Sequence, residues 1–77
     1  MENFLKYLLD NIIQNKEMLS IEKIEQSNAD ILFKITVANE DKGIIIGKKG
    51  KNIKAIRDIL NILAKKEGKR ISLKIED

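Results

Sequence analysis

Gly43 to Arg57 reads GIIIGKKGKNIKAIR: three consecutive isoleucines run into two glycines that bracket two lysines, and an apolar pattern resumes with Ile53 and Ile56. Glycine is a poor helix interior, so Gly47 and Gly50 interrupt the helical pattern on either side of them. Downstream, Ile53, Ile56, Leu60 and Leu63 recur at spacings of three and four, the stripe of an amphipathic helix. Upstream, Asn39 is placed to cap a short helix starting near residue 40, with Glu40 and Asp41 in the first turn where the helix dipole favours negative charge. Two helices therefore flank a four-residue loop tipped by Lys48 and Lys49.

Working outward, Ile31, Phe33, Ile35 and Val37 alternate with Leu32, Lys34 and Thr36 as a strand requires, and Ser27 to Asp30 supply the turn before it. Leu19 to Gln26 reads as a preceding edge strand in which Ile21 and Ile24, three apart, suggest a bulge. Phe4, Leu5, Leu8, Leu9, Ile12 and Ile13 predict a first helix over residues 2–16, with Phe4 in its core stripe. Gly68 closes the second loop-flanking helix after Lys65 and Lys66, and Ile71, Leu73 and Ile75 alternate as a last strand. The order is helix, strand, strand, helix, helix, strand. The connection through two helices is long enough to bring the second and third strands together in parallel. The expected class is α+β: a three-stranded mixed sheet with three helices packed on one face. With no linker or repeat, residues 1–77 read as one domain.

Hydrophobic residues make up 43% of the chain and are nearly all aliphatic, enough for a compact core although a domain this small buries only about 60% of its unfolded surface. The chain has no cysteine and no histidine, which removes disulfides, thiolate metal sites, and the commonest metal ligand and general base. Its carboxylates fall mainly on predicted solvent faces away from the glycine loop, so catalysis is not expected and no cofactor or metal is implied. GIIIGKK falls short of a nucleotide-binding P-loop: only three residues separate its glycines, and Lys49 stands where the metal-binding hydroxyl belongs. No charged leader precedes a long apolar segment and no apolar run approaches about 18 residues, which points to a soluble, cytoplasmic protein without a membrane partner.

The formal net charge of +3 conceals a division. Residues 1–41 hold four lysines against eight carboxylates, whereas residues 42–77 hold eleven basic side chains against four acids. From Lys42 to Arg57 six basic residues (Lys42, Lys48, Lys49, Lys51, Lys54 and Arg57) occur without an acid, the footprint of a polyanion-binding surface. A phosphodiester would meet main-chain N–H groups at the start of the second loop-flanking helix and two ammonium groups at the loop tip. If Ile46 and Ile53 floor a groove rimmed by Lys48, Lys49, Lys54 and Arg57, bases rest on aliphatic carbon while phosphates meet charge. Ile44, Ile45, Ile56 and Leu60 are assigned to the core, and Arg70 either reaches the groove edge or is solvated.

The segment IIGKKGKNI resembles the (Ile/Val)-Ile-Gly-x-x-Gly-x-x-(Ile/Leu) core of the K-homology (KH) RNA-binding domain, and the element order resembles its bacterial type II form. The likeness covers essentially the whole chain, and EDKGIIIGKKGKNIKAIR is similar to the small stand-alone bacterial KH proteins. It implies binding of single-stranded RNA, with Gly47, Lys48, Lys49 and Gly50 clamping the backbone and Lys51 beside them. Ile46 and Ile53 would line a groove for about four bases, and Lys54 and Arg57 would flank it. It also implies an RNA chaperone or post-transcriptional regulator that self-associates or pairs with a larger KH-containing protein. Glu40 departs from the pattern, standing where proline is expected. The competing reading is a KH fold used for protein interaction or dimerisation with secondary nucleic-acid contact. Modules that stack bases on aromatic platforms fit poorly, because only Phe4, Tyr7 and Phe33 are aromatic.

Overall fold

A computed structural model describes residues 1–76. The elements follow the expected order: α1 (Glu2–Asp10), β1 (Ser20–Glu25), β2 (Asp30–Thr36), α2 (Asn39–Ile46), α3 (Lys51–Lys65) and β3 (Arg70–Ile75). Short 3₁₀ turns at Lys16–Met18 and Lys48–Gly50 precede β1 and α3. The sheet runs β1-β2-β3, with β1 antiparallel and β3 parallel to the central β2.

The alternation of β2 decides which face is covered. Ile31, Phe33 and Ile35 are buried, and Ile71, Leu73 and Ile75 of β3 stand beside them in register on the same face. Leu5 and Leu9 of α1, Ile45 of α2, and Ile56, Leu60 and Ala64 of α3 complete the core. The opposite face carries Glu22, Lys34, Ser72 and Lys74 to solvent, with Ile24 directly across from Leu32 as its apolar pair. Gly68, at φ 70°, ends the α3 turn in the left-handed region, where Lys69 N–H donates back to the Ala64 carbonyl at 3.1 Å.

Several local expectations are corrected. The predicted helix over residues 2–16 stops at Asp10 because Asp41, on α2, accepts hydrogen bonds from the main-chain N–H groups of Gln14 (3.0 Å) and Asn15 (2.9 Å). The ammonium of Lys16 then donates to the carbonyls of Asp10 (2.6 Å) and Ile13 (3.2 Å), occupying acceptors left at the helix end. No bulge interrupts β1: its register is continuous from Ser20 to Glu25, so Ile21 faces the core and Ile24 the other side. Asn39 is not the cap of α2. Ala38 holds that position without a side-chain hydrogen bond. Phe4 lies 37% exposed, because α1 turns Leu5 and Leu9 to the sheet and Phe4 away from it.

Candidate nucleic-acid interface

Gly47 has φ 76° and ψ 174°, a region open essentially to glycine alone, and it reverses the chain at the end of α2. A side chain there has no room: a Cβ on Gly47 would lie 2.6 Å from Cγ of Asn52 and 2.8 Å from its main-chain nitrogen. Asn52 itself donates from Nδ2 to the Ile44 carbonyl at 2.7 Å, tying the first turn of α3 to the last turn of α2 beneath the loop. Gly50 has φ 75° and ψ 15° with open space around it, so it is chosen for backbone freedom alone. Between them Lys49 takes φ 58°, making it the one non-glycine residue at positive φ among those described.

The loop's hydrogen bonds turn inward at its end. Gly50 N–H donates to the Gly47 carbonyl at 3.1 Å, and Lys51 N–H to the Lys48 carbonyl. Among the described residues no main-chain carbonyl accepts from the amides of Lys48 and Lys49, and both side chains are exposed. The donors available to an anion thus sit at the lysines of the tip, one step earlier than the start of α3.

Of the other residues singled out in the sequence, Ile46 ends α2 at 40% exposure, and Ile53 is half-buried against the core in the first turn of α3. Lys51, Lys54 and Arg57 are exposed along α3. Lys54 and Arg57 are not free of acids: Asp58, one residue past the acid-free run, lies 3.3 Å from Lys54 Nζ and 3.9 Å from an Arg57 guanidinium nitrogen. Such exposed pairs are worth about 0–1 kcal/mol, so they hold Lys54 and Arg57 only weakly. Ile45, Ile56 and Leu60 are core as expected, but Ile44 is 48% exposed, because α2 offers the sheet one narrow face that Ile45 fills. Arg70 is solvated, on the outer sheet face 4.0 Å from Asp30.

Two further polar residues hold the surroundings: Asn61, unremarked in the sequence, and Asp41, read there only as a first-turn acid of α2. Asn61 completes the free edge of β3, accepting from Ile71 N–H at 2.8 Å and donating to its carbonyl at 3.0 Å. Asp41 is buried, and the hydrogen bonds from Gln14 and Asn15 hold its carboxyl below the usual aspartate range despite the opposing effect of burial. A cleft of about 450 Å³ lined by Asn3, Lys23, Phe33 and Lys69 lies away from the loop.

A helix-strand-strand-helix-helix-strand chain with a Gly-x-x-Gly turn between its second and third helices is a type II KH domain. The family model described as KhpA/KhpB, KH domain matches residues 2–75, and the chain belongs to that family. It is 37% identical over 75 residues to RNA-binding protein KhpA of Chlamydia trachomatis, covering 97% of this chain and 95% of the relative. The protein of the same name from Listeria monocytogenes is 31% identical over 75 residues, with 97% of each chain covered. That of Clostridium acetobutylicum is 32% identical over 77 residues, covering 97% of this chain and 99% of the relative.

Proposed function

We propose that residues 1–77 act as a single KH domain that binds unpaired RNA. In this reading the loop from Gly47 to Gly50 clamps the backbone, with Lys51, Lys54 and Arg57 alongside, and Ile46 and Ile53 support about four bases. The observation that carries the reading is the loop tip, where two exposed lysines have amides with no main-chain acceptor and Lys49 is held at positive φ. Backbone strain of this kind costs roughly 1–3 kcal/mol and persists where surrounding structure maintains it, commonly at ligand clamps. Relatives over nearly the full length are named RNA-binding proteins, which supports the same polymer as ligand. The family resemblance extends the reading to a cellular role as RNA chaperone or post-transcriptional regulator, and a site this small favours work in pairs, as a homodimer or beside a larger KH-containing protein. Linking two sites raises avidity by roughly 10² to 10⁴ where geometry allows.

Charge reversal at the loop tests the clamp. Lys48→Asp with Lys49→Asp places repulsion at the phosphate path and removes no core contact, so circular dichroism should be unchanged while RNA binding is lost. The control makes the same charge change at Lys6 and Lys65, exposed positions on α1 and α3. Lys16 would be a poor control because its ammonium closes α1. Equal losses in loop variant and control would reduce the contact to bulk electrostatics, and undiminished binding by the loop variant would refute the clamp.

A further inference from the structure

Gly43 lies inside α2, and nothing in the fold calls for it. Its φ is not among the positive ones, so it serves no left-handed turn. A Cβ there would meet nothing beyond its own helix within 4 Å among the described residues, so its bareness makes room for no neighbour in the chain. Glycine is among the poorest helix formers, and α2 therefore gives up stability at an exposed position with no return from packing. One use for such a glycine is left: it lets something from outside the chain come against the main chain.

The surroundings narrow what that visitor is. Gly43 stands three and four residues before Ile46 and Gly47, so the three share one face of α2, and that face runs on into the loop. With about 100° between successive residues, Ile44 and Ile46 fall to either side of Gly43, and they are 48% and 40% exposed. The result is a shallow saddle with main chain for its floor and aliphatic carbon for its walls. Its walls offer no cation to a phosphate, whereas Lys48 and Lys49 at the loop tip do. Glu40, one turn earlier, is engaged elsewhere, accepting from Asn15 Nδ2 at 2.6 Å.

We propose that Gly43 is an RNA contact: one base lies flat on the main chain of α2, between Ile44 and Ile46, and the missing side chain is what admits it. The proposal rests on the reading that the loop clamps unpaired RNA. It extends the base-bearing surface from Ile46 back along α2, to a position the sequence did not mark as part of the site. A base suits the saddle because its face is flat and its polar edge stays in water, whereas a ribose is puckered and hydroxylated and a phosphate is charged throughout.

Gly43→Ala tests this, because the variant should gain stability while losing function. Alanine in an exposed helix with open space around it should raise the thermal midpoint by about 4–8 °C. Affinity for a labelled single-stranded RNA should nevertheless fall roughly 10-fold, since one methyl group lifts the ring from its floor, and Gly43→Gln should lose more. The dependence of affinity on salt should keep the wild-type slope, because no phosphate contact is removed. A strand of the same length with abasic sites throughout should bind wild type and Gly43→Ala alike. Undiminished binding by Gly43→Ala, a loss accompanied by a lowered midpoint, a flattened salt slope, or an abasic strand that distinguishes the two proteins would each overturn the proposal. The two readings fail separately. A wild type that binds no single strand refutes the clamp and this contact with it, whereas a wild type that binds while Gly43→Ala binds equally well refutes this contact alone.

Discussion

Gly47 and Gly50 both hold positive φ, yet they answer to different constraints. At Gly47 a methyl group meets backbone strain and the Asn52 side chain together, and Asn52 cannot move without releasing the Ile44 carbonyl. At Gly50 a methyl group enters open space, so the cost is the left-handed backbone alone, about 1–2 kcal/mol. Gly47→Ala should therefore destabilise the domain in urea unfolding by clearly more than Gly50→Ala. Equal losses would mean that Asn52 rearranges freely and does not brace the loop. Asp41 makes a second residue-scale case. Its folded-state pKa lies below the ordinary value of 3.8, so its stabilising effect is complete above that value and lost as pH falls through the depressed one. Asp41→Asn keeps the shape but turns an amide toward main-chain N–H groups. The variant should be less stable than wild type at neutral pH, and the gap should narrow below about pH 4, followed by thermal unfolding across an acid series. A gap that stays constant would assign the effect to packing and remove the charge from the account.

Elements were legible in the sequence where one local pattern governs them, and misread where a distant residue intervenes. The alternation of β2, the stripe of α3 and the glycine at its end needed nothing beyond their own residues. The end of α1 was not legible, because the apolar spacing continues through Ile13 while the interruption comes from Asp41, 26 and 27 positions away. Likewise, the loop lysines and glycines were readable as a motif, but Asn52 was not, since its importance lies in the space that Gly47 leaves empty. Ile44 and Phe4 were assigned to the core because hydrophobicity reports that a side chain is apolar without reporting what covers it. At this scale Asn61 carries a sharp expectation. It completes the hydrogen bonding of Ile71 at the sheet edge, so Asn61→Ala leaves a part-buried N–H and carbonyl without those partners. The cost should be about 1–3 kcal/mol in equilibrium unfolding, with faster amide exchange at Ile71. Protection at Ile71 equal to wild type would show that other groups close the edge.

At the scale of the whole molecule, the aliphatic core lies against the sheet while the exposed lysines and open amides sit apart from it at the loop. Lys48, Lys49, Lys51, Lys54 and Arg57 all stay exposed, so none of these charges bears the desolvation cost that burial would carry. Under the proposed reading, the two amides and two ammonium groups of the loop tip would hold one phosphodiester strand, and Ile46 and Ile53 would support bases only when those bases are unstacked. The groove of A-form duplex that displays base edges is wide and shallow, and its bases stay paired. Titration of a labelled single strand against a hairpin of the same sequence should therefore favour the single strand. Affinity should fall as salt rises, with a logarithmic slope of about −0.7 for each phosphate neutralised on a single strand. Lys48→Gln with Lys49→Gln, which removes the two charges without reversing them, should weaken binding and flatten that slope by about two contacts, or about 1.4 in slope, whereas the same change at Lys6 and Lys65 leaves it unchanged. Tighter binding to the hairpin would exclude the unstacked-base groove, and a slope indifferent to the loop lysines would move the phosphate contacts elsewhere on the basic half of the chain.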